Sequence, residues 1–551
     1  MVKKILRQSK NLLSRQNNTI LSAAAIIALS YLLSAILGLV RNRLLVSRFF
    51  GGLEADLDVY FAAFIVPDTL FQLLILGALS AAFIPIYQEH IKEKSLKEAN
   101  KMANTTLTSL GSIQLIFTFL IIIFAKPVAS LITHYPEHQL NLMANLIRIM
   151  SLAQILFTIS AFLTSVLQSH RRFLIPATAP IFYNLGTIAG IFFLSSKLGI
   201  YSAAVGIVFG ALLHLLVQLP WAKSLGFSPK IIFQPKNPGT RSVFRLMPPR
   251  TAALSLSQIE RWVAVNLIST LSAGSLAIFS FARQLYVLPI TLFGVSLGQA
   301  SFPVLSANSS PKDSPKFVKI LSQSILQIFF FSLPAAVLII VLRIPLVRLV
   351  FGARAFPWQA TLLTAKALAL LALSIAPQAT NHLLTRAFHA KKNTRTPLII
   401  SLVTITFFCI TAYISTNKFN LGIIGITSSL SLSNLLNFLI LITLINRKVG
   451  SFKITIPLIK MIFVSFLTAI SLWYPMRLLD QFVFDTTRTF PLILLTIIVS
   501  LIGFSVYLLL SFLFKVDQLK HFLSLTKKIG NWRKLLTQTD EVIETSLSDQ
   551  V

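Results

Sequence analysis

Residues 34–87 read SAILGLVRNRLLVSRFFGGLEADLDVYFAAFIVPDTLFQLLILGALSAAFIPIY. Arg41, Arg43 and Arg48 follow directly on an apolar run. Asp56 and Asp58 open the next run, and Pro67, Asp68 and Gln72 interrupt it. A plain membrane anchor carries no such groups. Charge within or beside a membrane helix is costly, so it usually faces a cavity or a partner. The stretch predicts a helical hairpin on a pathway through the membrane, not attachment alone.

Apolar runs of this kind recur over all 551 residues. The chain is 55% hydrophobic and only 12% charged, with a mean hydropathy of +0.77. A soluble domain is nearer a quarter charged. Runs of about 20 apolar residues suit helical spans, and barrel strands, which alternate, do not produce them. The expected fold is an all-α polytopic membrane protein of about 14 spans. They lie near 19–40, 57–87, 104–126, 148–169, 174–195, 199–220, 250–272, 275–303, 321–344, 361–386, 397–416, 421–446, 454–475 and 490–514.

The formal net charge is +32. In a soluble protein this would suggest nucleic acid. Here the cations sit in short loops, as the positive-inside rule requires, so no nucleic-acid partner is expected. The asymmetry places both termini in the cytoplasm; Arg41–Arg48 and Arg343–Arg354 are the main exceptions. Cys409, the one cysteine, leaves no intramolecular disulfide. The sequence has no metal-ligand spacing, Gly-rich phosphate loop or nucleophile elbow. A transporter without cofactor or metal is expected, not an enzyme.

A faint repeat organises the chain. Phe61, Leu79, Ala82 and Pro85 recur as Phe279, Leu297, Ala300 and Pro303, an offset of 218. Leu167 and Pro180 recur as Leu384 and Pro397 at nearly that offset. Parallel repeats of this kind are typical of transporters. Residues 1–18 then form a basic cytoplasmic segment lying on the membrane surface. Residues 19–222 form an N-lobe, 223–249 a cytoplasmic linker, and 250–448 a C-lobe. Spans thirteen and fourteen occupy 449–514, and 515–551 is a cytoplasmic tail.

Several residues could carry function. Arg41 and Arg48 share one helix face; they form either a snorkelling cluster at the interface or an anion-attracting mouth. Asp58 is either a pairing partner for Arg41 or a cap at the start of its span. It shares a face with Gln72, and Pro67 can hinge the helix between them. Arg283 sits in mid-run, too deep to snorkel, and points to a cavity; Pro289 follows as a second hinge. Glu260 and Arg261 are similarly deep but point about 100° apart. At least one of them suits an interhelical salt bridge.

At these residues the chain resembles the MurJ/MviN family, lipid II flippases of the multidrug/oligosaccharidyl-lipid/polysaccharide exporter superfamily. Four stretches carry the resemblance. The first is Ser34, Leu37, Gly38 and Arg41, continuing through Phe50-Gly51, Asp58, Phe61, Pro67, Gly77 and Pro85. The second is Phe173, Ile175-Pro176, Ala179-Pro180 and Asn184. Arg283, Leu285, Pro289, Gly294, Gly298 and Pro303 form the third, and Phe388-His389-Ala390 with Asn393-Thr394 and Thr396-Pro397 the fourth.

The resemblance implies two six-helix lobes around a central cavity, plus two C-terminal helices lining a groove for a lipid tail. It implies translocation of lipid II, a polyprenyl-pyrophosphate-linked disaccharide-peptide, across the bacterial cytoplasmic membrane by alternating access. Membrane lipids and cell-wall synthesis proteins are the expected partners. Arg41, Asp58 and Arg283 match positions of the family's cationic cavity. Asn42, Arg43 and Gln72 join them as substrate-binding candidates, and Arg48, Glu260 and Arg261 as secondary ones. The chain departs from the family at Ala35, Asn42, Gln72 and Leu76, where charged residues are usual. Energy would come from the membrane potential or a monovalent-ion gradient. A flippase for another polyprenyl-linked glycan, a MATE-like antiporter and a non-transporting membrane scaffold are the alternatives.

Overall fold

The computed structural model describes residues 20–77, 79, 83–234, 236–310, 314–352, 356–450, 454–486, 488–520 and 522. Side chains are described for all of these except 20–28, 31, 249, 250, 253 and 314. The expectations for segment 1–18 and for most of the 515–551 tail fall outside the described residues.

Among the described residues, nineteen helices follow one another. They are α1 (Ile20–Phe49), α2 (Glu54–Phe71), α3 (Ile84–Glu93), α4 (Leu96–Ile123), α5 (Ala125–Ile132), α6 (Glu137–Ser169) and α7 (Leu174–Leu198). Next come α8 (Tyr201–Ser224), α9 (Pro238–Ile268), α10 (Ser275–Pro289), α11 (Ser296–Ala307), α12 (Ser314–Val341) and α13 (Arg343–Phe351). The last are α14 (Trp358–Ala372), α15 (Ile375–Ala390), α16 (Arg395–Asn417), α17 (Gly422–Val449), α18 (Thr455–Leu478) and α19 (Thr489–Leu513).

Among the described residues, 11 helical stretches are long and apolar enough to cross a membrane, or 12 if a bent pair is one span. The expected count of fourteen is reached only by adding α1 and α9, which are not among those twelve. α9 carries Arg241, Arg245, Glu260 and Arg261, which lower its apolar character. The bent pair is α14 and α15, which meet at 45°. Hydropathy alone hides this break within the run expected at 361–386, although Pro377 in the first turn of α15 has no N–H to bond Leu373 O.

Among the described residues, two short π-helical turns interrupt spans, Gln72–Leu76 after α2 and Ile290–Val295 after α10, and a third, Leu479–Val483, ends the span of α18. Such turns mark helices under local strain and often sit at functional sites. Pro67 lies within α2, and Pro289 ends α10 immediately before its π turn. Gln72 and Ile290 are 218 residues apart, the offset of the sequence repeat. The second sequence match needs correction by one helical turn. Arg171 and Lys392 both take a left-handed conformation, φ 58° and 55°. Each is followed by an amide that bonds back to close the helix end: Arg172 N to Leu167 O, and Asn393 N to Phe388 O. These equivalent caps pair Leu167 with Phe388 and Pro176 with Pro397, so the alignment shifts from the one Pro180 suggested.

The chain forms two compact units. One comprises residues through Phe281 with Val350–Leu363 and Phe408–Ile426; the other comprises Ala282–Leu349, Thr364–Phe407 and Thr427 onward. The sequence puts a boundary at linker 223–249, where α8 has ended and α9 begins. Helix α9 starts at Pro238, within that linker, and runs on unbroken to Ile268. Asn237 Oδ1 caps it by accepting from Thr240 N at 3.2 Å, with proline in the first turn, a strong start signal.

In the first unit, Tyr87, Phe83, Phe162 and Phe227 are fully buried with Leu110 and Val166. Helices α7 and α8 approach closely. A Cβ at Gly190 would lie 2.4 Å from Gly206 Cα, and one at Gly186 2.5 Å from Gly210 Cα. Small residues at such crossings let membrane helices gain dispersion contacts that a lipid-facing surface lacks. In the second unit, Phe317, Phe388, Leu384 and Tyr507 form the buried centre. Tyr507 donates its hydroxyl to Phe330 O at 3.1 Å.

Candidate functional site

Several polar clusters interrupt the apolar interior among the described residues; three lie on helices that carry the sequence candidates, and another, of Ser160, Thr164, His214 and Gln218, links α6 to α8. The first lies on α1 and α7. Arg41 is half-buried; its Nε donates to Asn42 Oδ1 at 3.2 Å and its Nη1 to Asn184 Oδ1 at 3.3 Å. Asn184 is held in turn. Its Nδ2 donates to Ser34 Oγ and Ser34 O, both at 3.1 Å, and to Pro180 O at 3.2 Å. The phenols of Tyr60 and Tyr183 lie within electrostatic reach of the guanidinium. The side chains that hold Arg41 are neutral amides.

The second cluster joins the end of α2 to α9 through a closed ring. Asp68 Oδ2 accepts from Arg261 Nη2 at 2.9 Å and from Gln72 Nε2 at 2.7 Å. Gln258 Nε2 donates to Gln72 Oε1 at 3.0 Å, and Arg261 Nε donates to Gln258 Oε1 at 3.0 Å. Trp262 and Thr69 extend it, with indole Nε1 donating to Thr69 Oγ1 at 3.0 Å. Arg261 is therefore the interhelical salt bridge expected of the Glu260–Arg261 pair. Gln72, one of the departures from the family pattern, completes the ring as both donor and acceptor. Glu260 is half-buried on the same helix.

Asp58 has neither Arg41 nor a site of its own helix as its main business. Its carboxylate, 4% exposed, accepts from Gly274 N at 2.8 Å and Ala277 N at 2.7 Å. It caps the N-terminus of α10 from another helix. The first amides of a helix have no internal partners, and a negative charge there also meets the positive end of the helix dipole. Gly274, at φ 87°, supplies the left-handed turn that exposes those amides. The suggested pairing of Asp58 with Arg41 is thus replaced by a cap, though not of Asp58's own span.

Arg43 Nη2 donates to Gly352 O at 3.3 Å, and Arg48 is exposed. In the second unit, Arg283 is half-buried on α10. One turn further on, Tyr286 anchors the third cluster. Its hydroxyl accepts from Asn434 Nδ2 at 3.0 Å and meets Ser374 Oγ at 3.1 Å, at the break between α14 and α15. Asn381 Nδ2 donates to Asn434 O at 3.1 Å.

Sequence reasoning placed neither Asp68, Asn184 and Gln258 nor Tyr286 and Asn434 among the site residues. A signal existed for some. Asp68 and Gln72 are one turn apart inside an apolar run, as are Gln258 and Arg261. Groups four or three apart share a helix face.

The comparisons with known proteins agree with one another. A family model described as lipid II flippase MurJ matches residues 46–494. A probable lipid II flippase MurJ from Thermotoga maritima is 31% identical over 497 residues, covering 89% of this chain and 96% of that protein. The lipid II flippase MurJ of Burkholderia cenocepacia is 28% identical, covering 74% and 80%. A solved lipid II flippase MurJ in an inward closed conformation superposes with a TM-score of 0.74 at 26% identity, covering 90% of this chain and 99% of that one. An inward-facing multidrug-resistance MATE transporter shares the fold, with a TM-score of 0.64 at 14% identity over 77% of this chain and 96% of that one. With the family model and the Thermotoga relative both spanning most of its length, this multi-pass helical membrane protein belongs to the lipid II flippase MurJ family.

Proposed function

We propose that this chain carries lipid II from the inner to the outer leaflet of the bacterial cytoplasmic membrane, by alternating access and with no covalent change. The family supports the substrate. The observation that carries the reading within this chain is Arg41, a half-buried guanidinium held by the neutral amides of Asn42 and Asn184. Such a group is oriented without being neutralised. Guanidiniums bind pyrophosphate and carboxylate bidentately and do not deprotonate. Arg283 is the second binding cation. Asn42 and Asn184 aim Arg41, while Asp58 and the Asp68–Arg261 ring hold helices in place. The polyprenyl tail stays in lipid along α18 and α19. The Lys/Arg bias of the loops favours cytoplasmic termini.

Complementation tests this reading. The chain is expressed in a strain depleted of its own lipid II flippase. Wild type is expected to restore growth; Arg41→Ala and Arg283→Ala are expected not to, at equal membrane abundance. Arg41→Lys, which keeps charge but loses the planar fork, is expected to rescue partly. Failure of wild type would remove the substrate assignment. Full rescue by Arg41→Ala would remove the site assignment and leave the substrate standing.

A further inference from the structure

Arg41 is held by groups that accept, and what it leaves open are donors. A guanidinium has five N–H groups. Asn42 Oδ1 and Asn184 Oδ1 take two of them, and three remain. Two phenols stand beside these. Tyr60 on α2 and Tyr183 on α7 lie within electrostatic reach of the guanidinium and of each other. All three side chains belong to the first unit.

Packing fixes both phenols. Tyr60 is 4% exposed, and its ring meets Phe61 with centroids 5.3 Å apart. Two residues earlier, Asp58 ties the same helix to the first amides of α10. Tyr183 directly precedes Asn184, so the bonds that aim Arg41 also hold the Tyr183 backbone. From α8, a Cβ on Gly210 would lie 2.4 Å from Tyr183 O and 2.9 Å from its Cδ2. Phe157 packs edge-on against the ring at 5.3 Å. Side chains locked in this way keep their geometry when a ligand arrives.

Packing does not explain the hydroxyls. That of Tyr60 makes no hydrogen bond among the described residues, yet it is not sealed as the phenol of Tyr135 is. A polar group carried so deep without a partner calls for one from outside the chain. The hydroxyl of Tyr183 has Arg41 and Thr187 as polar neighbours. Its oxygen can accept from the guanidinium, which leaves its O–H to donate. Asp68 is also within electrostatic reach of Tyr183, but Asp68 Oδ2 already accepts from Arg261 and Gln72.

Neutral donors around one fixed cation suit an anion with many oxygens. A diphosphate diester has four non-bridging oxygens and a monophosphate diester has two. The guanidinium fork engages two oxygens, so the phenols find further acceptors only on a diphosphate. A smaller headgroup would strip water from these donors and leave them unpaired, which penalises it. We propose that Tyr60 and Tyr183 are specificity residues of the Arg41 site. Their hydroxyls hold the second phosphoryl group and select diphosphate-linked lipids over the monophosphate diesters of the surrounding bilayer. This rests on Arg41 as the headgroup site and names what makes that site selective.

Binding of two probes to the full chain tests it. One is N-acetylglucosamine joined to a polyprenol through a diphosphate; the other has the same sugar and tail joined through a monophosphate. Wild type is expected to prefer the diphosphate about a hundredfold, from two hydrogen bonds to a charged group at about tenfold each. Tyr60→Phe and Tyr183→Phe change no charge and little volume. Each is expected to lower the preference about tenfold, with monophosphate affinity and thermal unfolding unchanged. An unaltered preference in either variant overturns the proposal and leaves Arg41 as the headgroup site. Lower thermal stability of Tyr183→Phe with the preference intact also overturns it, by assigning that phenol to the Asp68–Arg261 ring. Equal binding of both probes by wild type removes the selectivity alone, whereas binding of neither removes the headgroup site as well.

Discussion

Arg41 and Arg261 are both guanidiniums in an apolar interior, and their partners give them opposite roles. Arg261 faces the Asp68 carboxylate at 2.9 Å; Arg41 faces amides. Removing one member of a buried ion pair leaves the other uncompensated, at about 3–5 kcal/mol. Asp68→Ala is therefore expected to destabilise the protein by about that amount, and the double variant with Arg261→Ala by less than the sum. Arg41→Ala removes hydrogen bonds to neutral groups and is expected to cost about 1–2 kcal/mol. Unfolding in detergent measures both. Equal stability of the Asp68 and Arg41 variants would contradict this division. The sequence displays Asp68 plainly as an interruption, but its partner lies 193 positions away. Only packing decides which of several distant cations it meets. Asp58 was harder still. Its partners are backbone amides of Gly274 and Ala277, and no side-chain pattern advertises them.

At the scale of the helix, length and hydropathy were enough to place most spans, because a bilayer demands about 20 apolar residues. Breaks within a span were not visible in the same way. The 45° bend before Ile375 and the π turns at Gln72 and Ile290 leave hydropathy unchanged. Pro67, Pro289 and Pro377 stand beside them and mark where a backbone donor is missing, but packing decides whether the helix bends, widens or continues. The repeat showed its offset in one helix pair and slipped by a turn in the other, where Leu/Ile-rich sequence matches itself at many registers. Close helix crossings were equally hidden, although their glycines were in view. Gly190 and Gly206 touch backbone to backbone. Gly206→Val is expected to lower stability by about 1–3 kcal/mol through overpacking. Gly111→Ala, placed in open space, is expected to leave stability unchanged or raise it by about 0.5–1 kcal/mol. Parallel unfolding curves of the two variants decide the point; equal losses would mean that the α7–α8 contact is not what constrains glycine there.

For the whole molecule, the charge moved across the membrane in each cycle sets the transport energetics. Outward transfer of a pyrophosphate dianion from a negative cytoplasm is favourable by about 2.3 kcal/mol per charge per 100 mV. If Arg41 and Arg283 neutralise the dianion, the loaded step becomes electrically silent. The same two cations then move inward on the empty return, also down the field. The sum per cycle is two negative charges outward in either case, about 4.6 kcal/mol per 100 mV. The substitution Arg283→Gln moves one charge from the return step to the loaded step without altering that sum. Reconstituted wild-type protein is therefore expected to flip lipid II faster with the interior negative, and to slow when an ionophore collapses the potential. In Arg283→Gln vesicles the rate is expected to fall overall yet remain sensitive to potential, because the cycle still transfers the same charge. Flipping that ignores the potential, but stops when a sodium or proton gradient is removed, would show that an ion supplies the energy. The arginines would then serve binding alone, with the charge of the returning carrier compensated by the coupled ion.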